Sequence, residues 1–152
     1  MKILFATDGG KQSEAAIALI RGLKLIEGDE IKVISVVDMA LPMAIDIYGG
    51  YIPDTGDIEK AAKENASKIV ADAAAKLQEG EAAGGVLIST DIPFGSPDSR
   101  IVETAEEWGA NLIVVGSHGY SRWERLLLGS VSSSVVHHAP CSVLVVRVPA
   151  EG

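Results

Sequence analysis

A stretch rich in glycine and serine in the last third of the chain is the clearest candidate for chemistry. Gly116 and Gly119 are separated by two residues, and nine more residues separate Gly119 from the pair Gly129 and Ser130. Glycine lets the backbone turn sharply and approach a ligand because it carries no Cβ. A Gly-Ser pair that opens a helix presents N–H groups and the positive end of a dipole, which suit a phosphate. The alternative is a turn that only links a strand to a helix.

Asp8 is the second candidate, because it follows an apolar run and precedes two glycines. Its carboxylate could accept hydrogen bonds from ligand hydroxyls or lie near a metal ion. It could instead form an Asx turn that steers the chain into Gly9 and Gly10. Ser130 and Ser132 also have two interpretations, since a helix cap and a bound phosphate use the same N–H groups.

Five apolar runs, rich in valine, isoleucine and leucine, predict strands that are covered on both faces. They lie at residues 3–7, 31–37, 86–91, 111–115 and 142–148. Four helical patterns alternate with these runs. The patterns run from an N-cap at Ser13 to Leu23, from Ile58 to Leu77 with a stop at Gly80, from Ser96-Pro97 to Gly109, and from Ser130 to Pro140.

This alternation predicts one α/β domain over residues 1–152, with a doubly wound, five-stranded parallel sheet and helices on both faces. By analogy with other doubly wound folds, we expect the strand order 3-2-1-4-5. That order places the first and fourth strands side by side, and ligands bind at such switch points. Asp8 and Gly116 would then meet at one edge of the sheet. Residues 38–56 break the pattern, and we interpret them as a surface loop or, alternatively, as a lid.

Composition and charge disfavour several binding partners and locations for this protein. The chain has 152 residues, a net charge of −8 and 22% charged residues. The acidic balance disfavours nonspecific binding to nucleic acid or to anionic membranes. The single Cys141 cannot form an intramolecular disulfide, which suggests a reducing compartment. Because no apolar run approaches the length of a signal segment or a membrane span, we expect a cytoplasmic protein.

With these pieces placed, the chain resembles the universal stress protein family over nearly its whole length. The family motif of Gly, two residues, Gly, nine residues, Gly and then Ser or Thr is complete here. Thr7-Asp8, Gly95-Ser96-Pro97 and Ala139-Pro140-Cys141 look like further family signatures. Some members of the family bind ATP and others have lost the motif. The resemblance therefore implies the ATP-binding subgroup.

The resemblance also implies a role for each matching residue. Adenine would lie against main-chain groups of Val36, and Asp8 would meet the ribose or a phosphate-bound Mg²⁺. The glycines would pass beneath the ribose and phosphates. His118 could contact phosphate or be a solvated loop residue. The nucleotide-binding positions implied are Ala6, Thr7, Asp8, Val36, Val115, Gly116, His118, Gly119, Gly129, Ser130, Val131 and Ser132.

The motif favours a nucleotide binder with a regulatory or stress-response role over an efficient enzyme. Hydrolysis needs a positioned water and cationic stabilisation of the phosphoryl group. The chain has no P-loop, and no lysine follows Gly129. A slow ATPase and a nucleotide-free interaction scaffold are the alternatives. The family resemblance implies a homodimer joined by the last strand, from Ser142 to Val148, whereas Arg147 and Pro149 could protect that edge in a monomer.

Overall fold

The computed structural model describes residues 1–38, 55–79, 84–117 and 128–148. Nine elements alternate along these ranges. In chain order they are β1 (Lys2–Ala6), α1 (Lys11–Arg21), β2 (Glu30–Ile34), α2 (Thr55–Gln78), β3 (Leu87–Asp91), α3 (Pro97–Trp108), β4 (Leu112–Gly116), α4 (Ser130–His138) and β5 (Ser142–Val146). The predicted loop at 38–56 lies outside the described residues over positions 39–54, and so does the predicted helix stop at Gly80.

The five strands form one parallel sheet in the order β3-β2-β1-β4-β5, which confirms the prediction. Central strand β1 pairs on one side with β2, where Phe5 lies opposite Val33, and on the other with β4, where Phe5 lies opposite Val114. Strands β2, β3 and β5 are shorter than the apolar runs predicted, whereas β1 and β4 have the predicted length and are shifted by one residue. After β2 the chain leaves the ladder, although Val37 still forms one parallel bridge to Phe94.

Helices cover both faces of the sheet, as predicted. Successive residues of β1 point to opposite faces, so alternate side chains enter two separate cores. On one face, Ile3 and Phe5 pack with residues of α1 and α2. On the other face, Leu4 and Ala6 pack with residues of α3 and α4. The sheet is therefore buried between two helical layers, and ligands can approach it at the ends of its strands.

The start of α1 corrects one prediction. Its N-cap is Gly10, and Ser13 lies inside the first turn, where its N–H donates to the Gly10 carbonyl over 2.9 Å. The helix begins early because the preceding side chains already turn the chain. The N–H of Gly9 donates to Thr7 Oγ1 and the N–H of Gly10 to Asp8 Oδ1. Gly9 takes a positive φ of 80° in this turn, a conformation that side chains disfavour.

The other helix ends follow local rules. In α3, Ser96 is the N-cap, Pro97 the first helical residue, and Gly109 a left-handed C-cap, all as predicted. Helix α4 starts at Ser130 as predicted but ends at His138, before Pro140. The residue before a proline disfavours helical backbone, so Ala139 is extended. Helix α2 begins at Thr55, three residues before the predicted start.

Candidate functional site

A cavity of about 210 Å³ opens where the carboxyl ends of β1, β2 and β4 meet the starts of α1, α3 and α4. This is the switch point of the sheet, because the connections that follow β1 and β4 run to opposite faces. Residues lining the cavity are Phe5, Ala6, Thr7, Asp8, Gln12, Ser13, Ser35, Val36, Pro97, Ile101, Val115, Gly116, Val131 and Ser132.

The exit of β1 is shaped by two side chains that bond to the backbone ahead of them. Thr7 Oγ1 accepts from the N–H of Gly9 over 3.1 Å, and Asp8 Oδ1 accepts from the N–H of Gly10 over 2.9 Å. The N–H of Thr7 donates to the Ile34 carbonyl, which holds the strand end against β2. Asp8 therefore forms the Asx turn considered above and also borders the cavity. The two interpretations of this residue are compatible.

The exit of β4 is joined to α4 through Ser132. Its hydroxyl donates to the carbonyl of Gly116 over 2.5 Å and lies 3.1 Å from that of Ser117. The N–H of Gly129 donates to the same Ser117 carbonyl over 2.7 Å. The N–H of Ser117 donates in turn to the Val146 carbonyl on β5. These bonds bring Gly116, the first glycine of the motif, close to Gly129 and the start of α4.

Gln12 connects α1 to the same strand exit. Its Nε2 donates to Ser117 Oγ over 3.2 Å, although the two residues are 105 positions apart in sequence. Its side chain lies across Gly116, where an added Cβ would be 2.3 Å from Gln12 Oε1. The absence of a side chain at Gly116 thus leaves room for the Gln12 side chain against the end of β4. This is a second reason for glycine at that position.

The cavity has an apolar side and a polar side. Val36, Ile101, Val115 and Val131 belong to or pack against the core between the sheet and helices α3 and α4. Hydroxyls and an amide border the cavity where β1 and β2 end and α1 begins, from Thr7, Gln12, Ser13 and Ser35. A flat apolar ring fits the first side and a group rich in hydroxyls or charge fits the second.

Helices α1 and α4 begin at or beside the cavity, each with a glycine at the N-cap and no side-chain cap hydrogen bond. The first-turn N–H groups of a helix have no partner within the helix, and the dipole makes this end attractive to anions. The first turn of α4 contains no acidic residue. Negative charge on a ligand would therefore meet no opposing carboxylate in that turn.

Asp98 fixes the start of α3 against α4. Its Oδ1 accepts from the hydroxyl of Ser96 and its Oδ2 from the hydroxyl of Ser134, each over 2.7 Å. The hydrogen bond from Ser96, followed by that from Ser134, holds the pKa of the Asp98 carboxyl below its usual range. The ionised carboxylate thus positions Pro97, which lines the cavity.

The structure brings together most of the residues implied by the motif. Ala6, Thr7, Asp8, Val36, Val115, Gly116, Val131 and Ser132 all line the cavity. Gly129 and Ser130 open α4 but are not among the lining residues. His118 and Gly119 lie outside the described residues. Across the described ranges, no group of three His, Cys, Asp or Glu side chains could hold a metal ion.

Six lining residues were not predicted: Phe5, Gln12, Ser13, Ser35, Pro97 and Ile101. For two of them the sequence carried a usable signal. Pro97 belongs to the signature Gly95-Ser96-Pro97, and Ser35 is a polar residue between apolar neighbours at the end of a strand. Gln12 carries no such signal, because its role depends on a strand that lies far away in sequence.

None of the described helices is long and apolar enough to cross a membrane.

Comparison with known proteins gives a consistent result for the family. The universal stress protein family profile matches residues 1–147. A putative universal stress protein of Staphylococcus aureus is 33% identical over 146 residues, which cover 95% of this chain and 82% of the relative.

Solved structures agree with this assignment. The hypothetical protein MJ0577 superimposes with a TM-score of 0.82 at 25% identity, over 99% of this chain and 97% of that protein. A universal stress protein solved in complex with cAMP has a TM-score of 0.66 at 23% identity, over 98% of both chains. A family protein from Arabidopsis thaliana, solved with AMP bound, has a TM-score of 0.65 at 19% identity, over 99% of this chain and 93% of that one. The last two comparisons show a shared fold.

The family profile spans nearly the whole chain, and the relative from S. aureus shares one third of its aligned residues. The five-stranded sheet and the residues that line its cavity all lie within the matched residues 1–147. The chain belongs to the universal stress protein family.

Proposed function

We propose that residues 1–152 form one cytoplasmic, ATP-binding domain with a regulatory or stress-response role. The observation that carries this proposal is the cavity at the switch point, whose apolar wall faces hydroxyls and whose far end meets the start of α4. Proteins of the same fold have been solved with cAMP and with AMP, which supports an adenine nucleotide as the ligand.

The chemistry of the walls suggests an orientation for ATP. The base packs against Val36, Ile101 and Val131, where its faces lose contact with water. The ribose hydroxyls lie near Asp8, whose carboxylate accepts hydrogen bonds. The phosphates extend over Gly116 towards the first turn of α4, where N–H groups and the helix dipole favour negative charge. If Mg²⁺ accompanies the phosphates, Asp8 is the nearest carboxylate among the described lining residues.

The charges around the cavity favour binding over rapid hydrolysis. Asp8 is the one ionisable side chain among the described residues that line it. Phosphoryl transfer is accelerated by lysine, arginine or metal ions that neutralise the charge of the transition state. With no such cation from the described part of the wall, we propose that the protein holds ATP and turns it over slowly at most.

Titration calorimetry with Mg·ATP tests the proposal. The native chain, stripped of nucleotide, is expected to bind ATP saturably. Asp8→Ala is expected to weaken binding about tenfold or more, because a hydrogen bond to a charged group contributes about 1.5–3 kcal/mol. Absence of binding by the native chain would overturn the proposal and favour a nucleotide-free scaffold.

Asp57→Ala is the matched control for this experiment. Asp57 is an exposed carboxylate in the first turn of α2, and it is not among the residues lining the cavity. The control changes the net charge by the same amount as Asp8→Ala. Equal loss of ATP affinity in both variants would show an effect of overall charge and not of the site.

We also propose that the protein forms a homodimer through β5. Among the described strands, β5 pairs with β4 on one side only, so its other edge presents backbone groups that can pair with a second strand. Two copies related by a twofold axis would join these edges in an antiparallel ladder. The carbonyl of Val146 accepts from the N–H of Ser117, which directly follows β4, so the peptide groups of Val146 face β4 and those of Val143 and Val145 alternate with them. The peptide groups of the two alternating valines therefore face the free edge.

Val145→Pro tests this dimer, because proline removes an N–H that faces outward while leaving the bonds to β4 in place. The native chain is expected to have the mass of a dimer by light scattering after gel filtration, and the variant that of a monomer. Thermal melting serves as the check on folding. A native chain that stays monomeric at tens of micromolar, or a variant that stays dimeric, contradicts the proposal.

A further inference from the structure

Ser35 is a buried polar residue of the cavity whose hydroxyl has no partner among the described residues. It follows β2, is only 5% exposed and lines the cavity. Its backbone N–H donates to the Asp91 carbonyl, but its hydroxyl makes no hydrogen bond to any described residue. Two other serines nearby are equally buried, and both have partners. Ser117, 2% exposed, accepts from Gln12, and Ser132, 3% exposed, donates to Gly116.

The Ser35 hydroxyl is not fully enclosed by the described residues, and Ser35 lines the cavity. Within the described ranges, Arg100 Nε is the one fully enclosed side-chain nitrogen or oxygen that lacks a hydrogen bond. The oxygen of Ser35 also lacks a hydrogen bond to the described residues, but it is not fully enclosed as Arg100 Nε is. A buried hydroxyl without a partner loses its hydrogen bonds to bulk water and weakens the fold. Its presence calls for an explanation outside the fold.

We infer that the Ser35 hydroxyl hydrogen-bonds the polar edge of the nucleotide base. This inference rests on the function proposed above, which places the base against Val36. Ser35 is the adjacent residue, and the two side chains lie on opposite sides of the strand direction. The cavity reaches both sides of the strand end, because Ser35 and Val36 both line it, so a base whose face packs on Val36 can extend its polar edge to Ser35. A hydroxyl can donate and accept, which matches the amino and ring-nitrogen groups of adenine.

The test compares Ser35→Ala with the native chain by calorimetry, using ATP, 2′-deoxy-ATP and 3′-deoxy-ATP. We expect the variant to bind each of the three about 5- to 10-fold more weakly than the native chain does, as for loss of one neutral hydrogen bond. Equal factors exclude the 2′ and 3′ hydroxyls as the partner of Ser35, and the same factor with adenosine, which carries no phosphate, identifies the base. If the loss disappears with either deoxy analogue, Ser35 contacts a ribose hydroxyl and the inference is wrong.

Melting of the ligand-free proteins separates this role from a structural one. Ser35→Ala is expected to melt at or above the native temperature, since the hydroxyl has no described partner to lose. Thr104→Ala is the matched control: Thr104 is 8% exposed, lies away from the cavity and donates to the Arg100 carbonyl over 2.6 Å. The control is expected to melt lower and to keep its ATP affinity. A Ser35→Ala protein that melts several degrees lower would overturn the inference.

The outcomes distinguish this inference from the function on which it rests. If the native chain binds ATP and Ser35→Ala binds it equally well, the inference fails and the proposed function stands. If the native chain binds none of the three nucleotides, both fail together. If affinity falls equally for all three while the melting temperature does not, both are supported.

Discussion

Phe5→Ala is expected to lower the free energy of unfolding by about 3–5 kcal/mol, the largest stability loss that we predict for a single substitution. Phe5 lies in the middle of central strand β1 and is 1% exposed. It pairs with Val33 on one side and Val114 on the other, and packs under helices α1 and α2. Removing the ring takes away apolar contacts from both neighbouring strands and leaves a cavity that a rigid sheet cannot close.

The second phenylalanine of the chain provides the control. Phe94 is 40% exposed and its recorded pairing with Val37 is through the backbone, which alanine retains. Phe94→Ala is expected to change stability by less than about 1 kcal/mol, as for most exposed positions. Urea unfolding of both variants, followed by tryptophan fluorescence, measures the difference. Equal free energies of unfolding for the two variants would contradict the prediction, because the buried Phe5 would then contribute no more to stability than the exposed Phe94.

Most of the fold could be predicted because its elements carry local signals. Each strand is an apolar run, and the helices between them show spacings of three and four. The order of the strands in the sheet cannot be predicted from local signals. The five apolar runs do not indicate that β1 lies between β2 and β4, and we predicted this order by analogy with other doubly wound proteins. The structure confirms it.

The errors occurred where side chains redirect the backbone. Periodicity indicated a helix start at Ser13, but bonds to Thr7 and Asp8 turn the chain so that α1 begins at Lys11. The end of α4 shows the same effect, because Pro140 imposes an extended residue before it. Such contacts involve one or two residues, and a pattern averaged over a whole helix does not detect them.

The candidate site was predicted where it coincides with a motif. Gly116 belongs to the glycine motif, Val131 and Ser132 follow it directly, and Thr7 and Asp8 lie at the exit of the first strand. Gln12 and Ser35 belong to no motif that points to a ligand, although Ser35 stands out as a polar residue between apolar neighbours at the end of a strand. Their importance arises from the folded arrangement, in which α1 lies across Gly116 and β2 ends beside the cavity. Sequence spacing does not contain that arrangement.

The proposed position of the phosphates, near the start of α4, can be tested by placing a negative charge there. Gly129 and Ser130 open α4 but do not line the cavity. Ser130→Glu is expected to weaken ATP binding about 30-fold. A carboxylate at a distance of about 6 Å repels each phosphate charge by about 0.7 kcal/mol in water, or about 2 kcal/mol for three charges. The same substitution is expected to leave the melting temperature unchanged or to raise it, since acidic residues stabilise the first turn of a helix.

The affinities of Ser130→Glu for adenosine, AMP and ATP show whether the phosphates lie near the start of α4. With Ser130→Glu, the loss of affinity is expected to grow from none for adenosine, through several-fold for AMP, to its full size for ATP, and to shrink as salt is added. Ser130→Gln, with a side chain of similar size and no charge, is expected to bind all three ligands nearly as the native chain does. Equal loss for adenosine and ATP would mean that the substitution disturbs the base or the fold. Unchanged ATP affinity would place the phosphates away from α4, because a charge introduced at Ser130 acts strongly only on groups near the start of that helix.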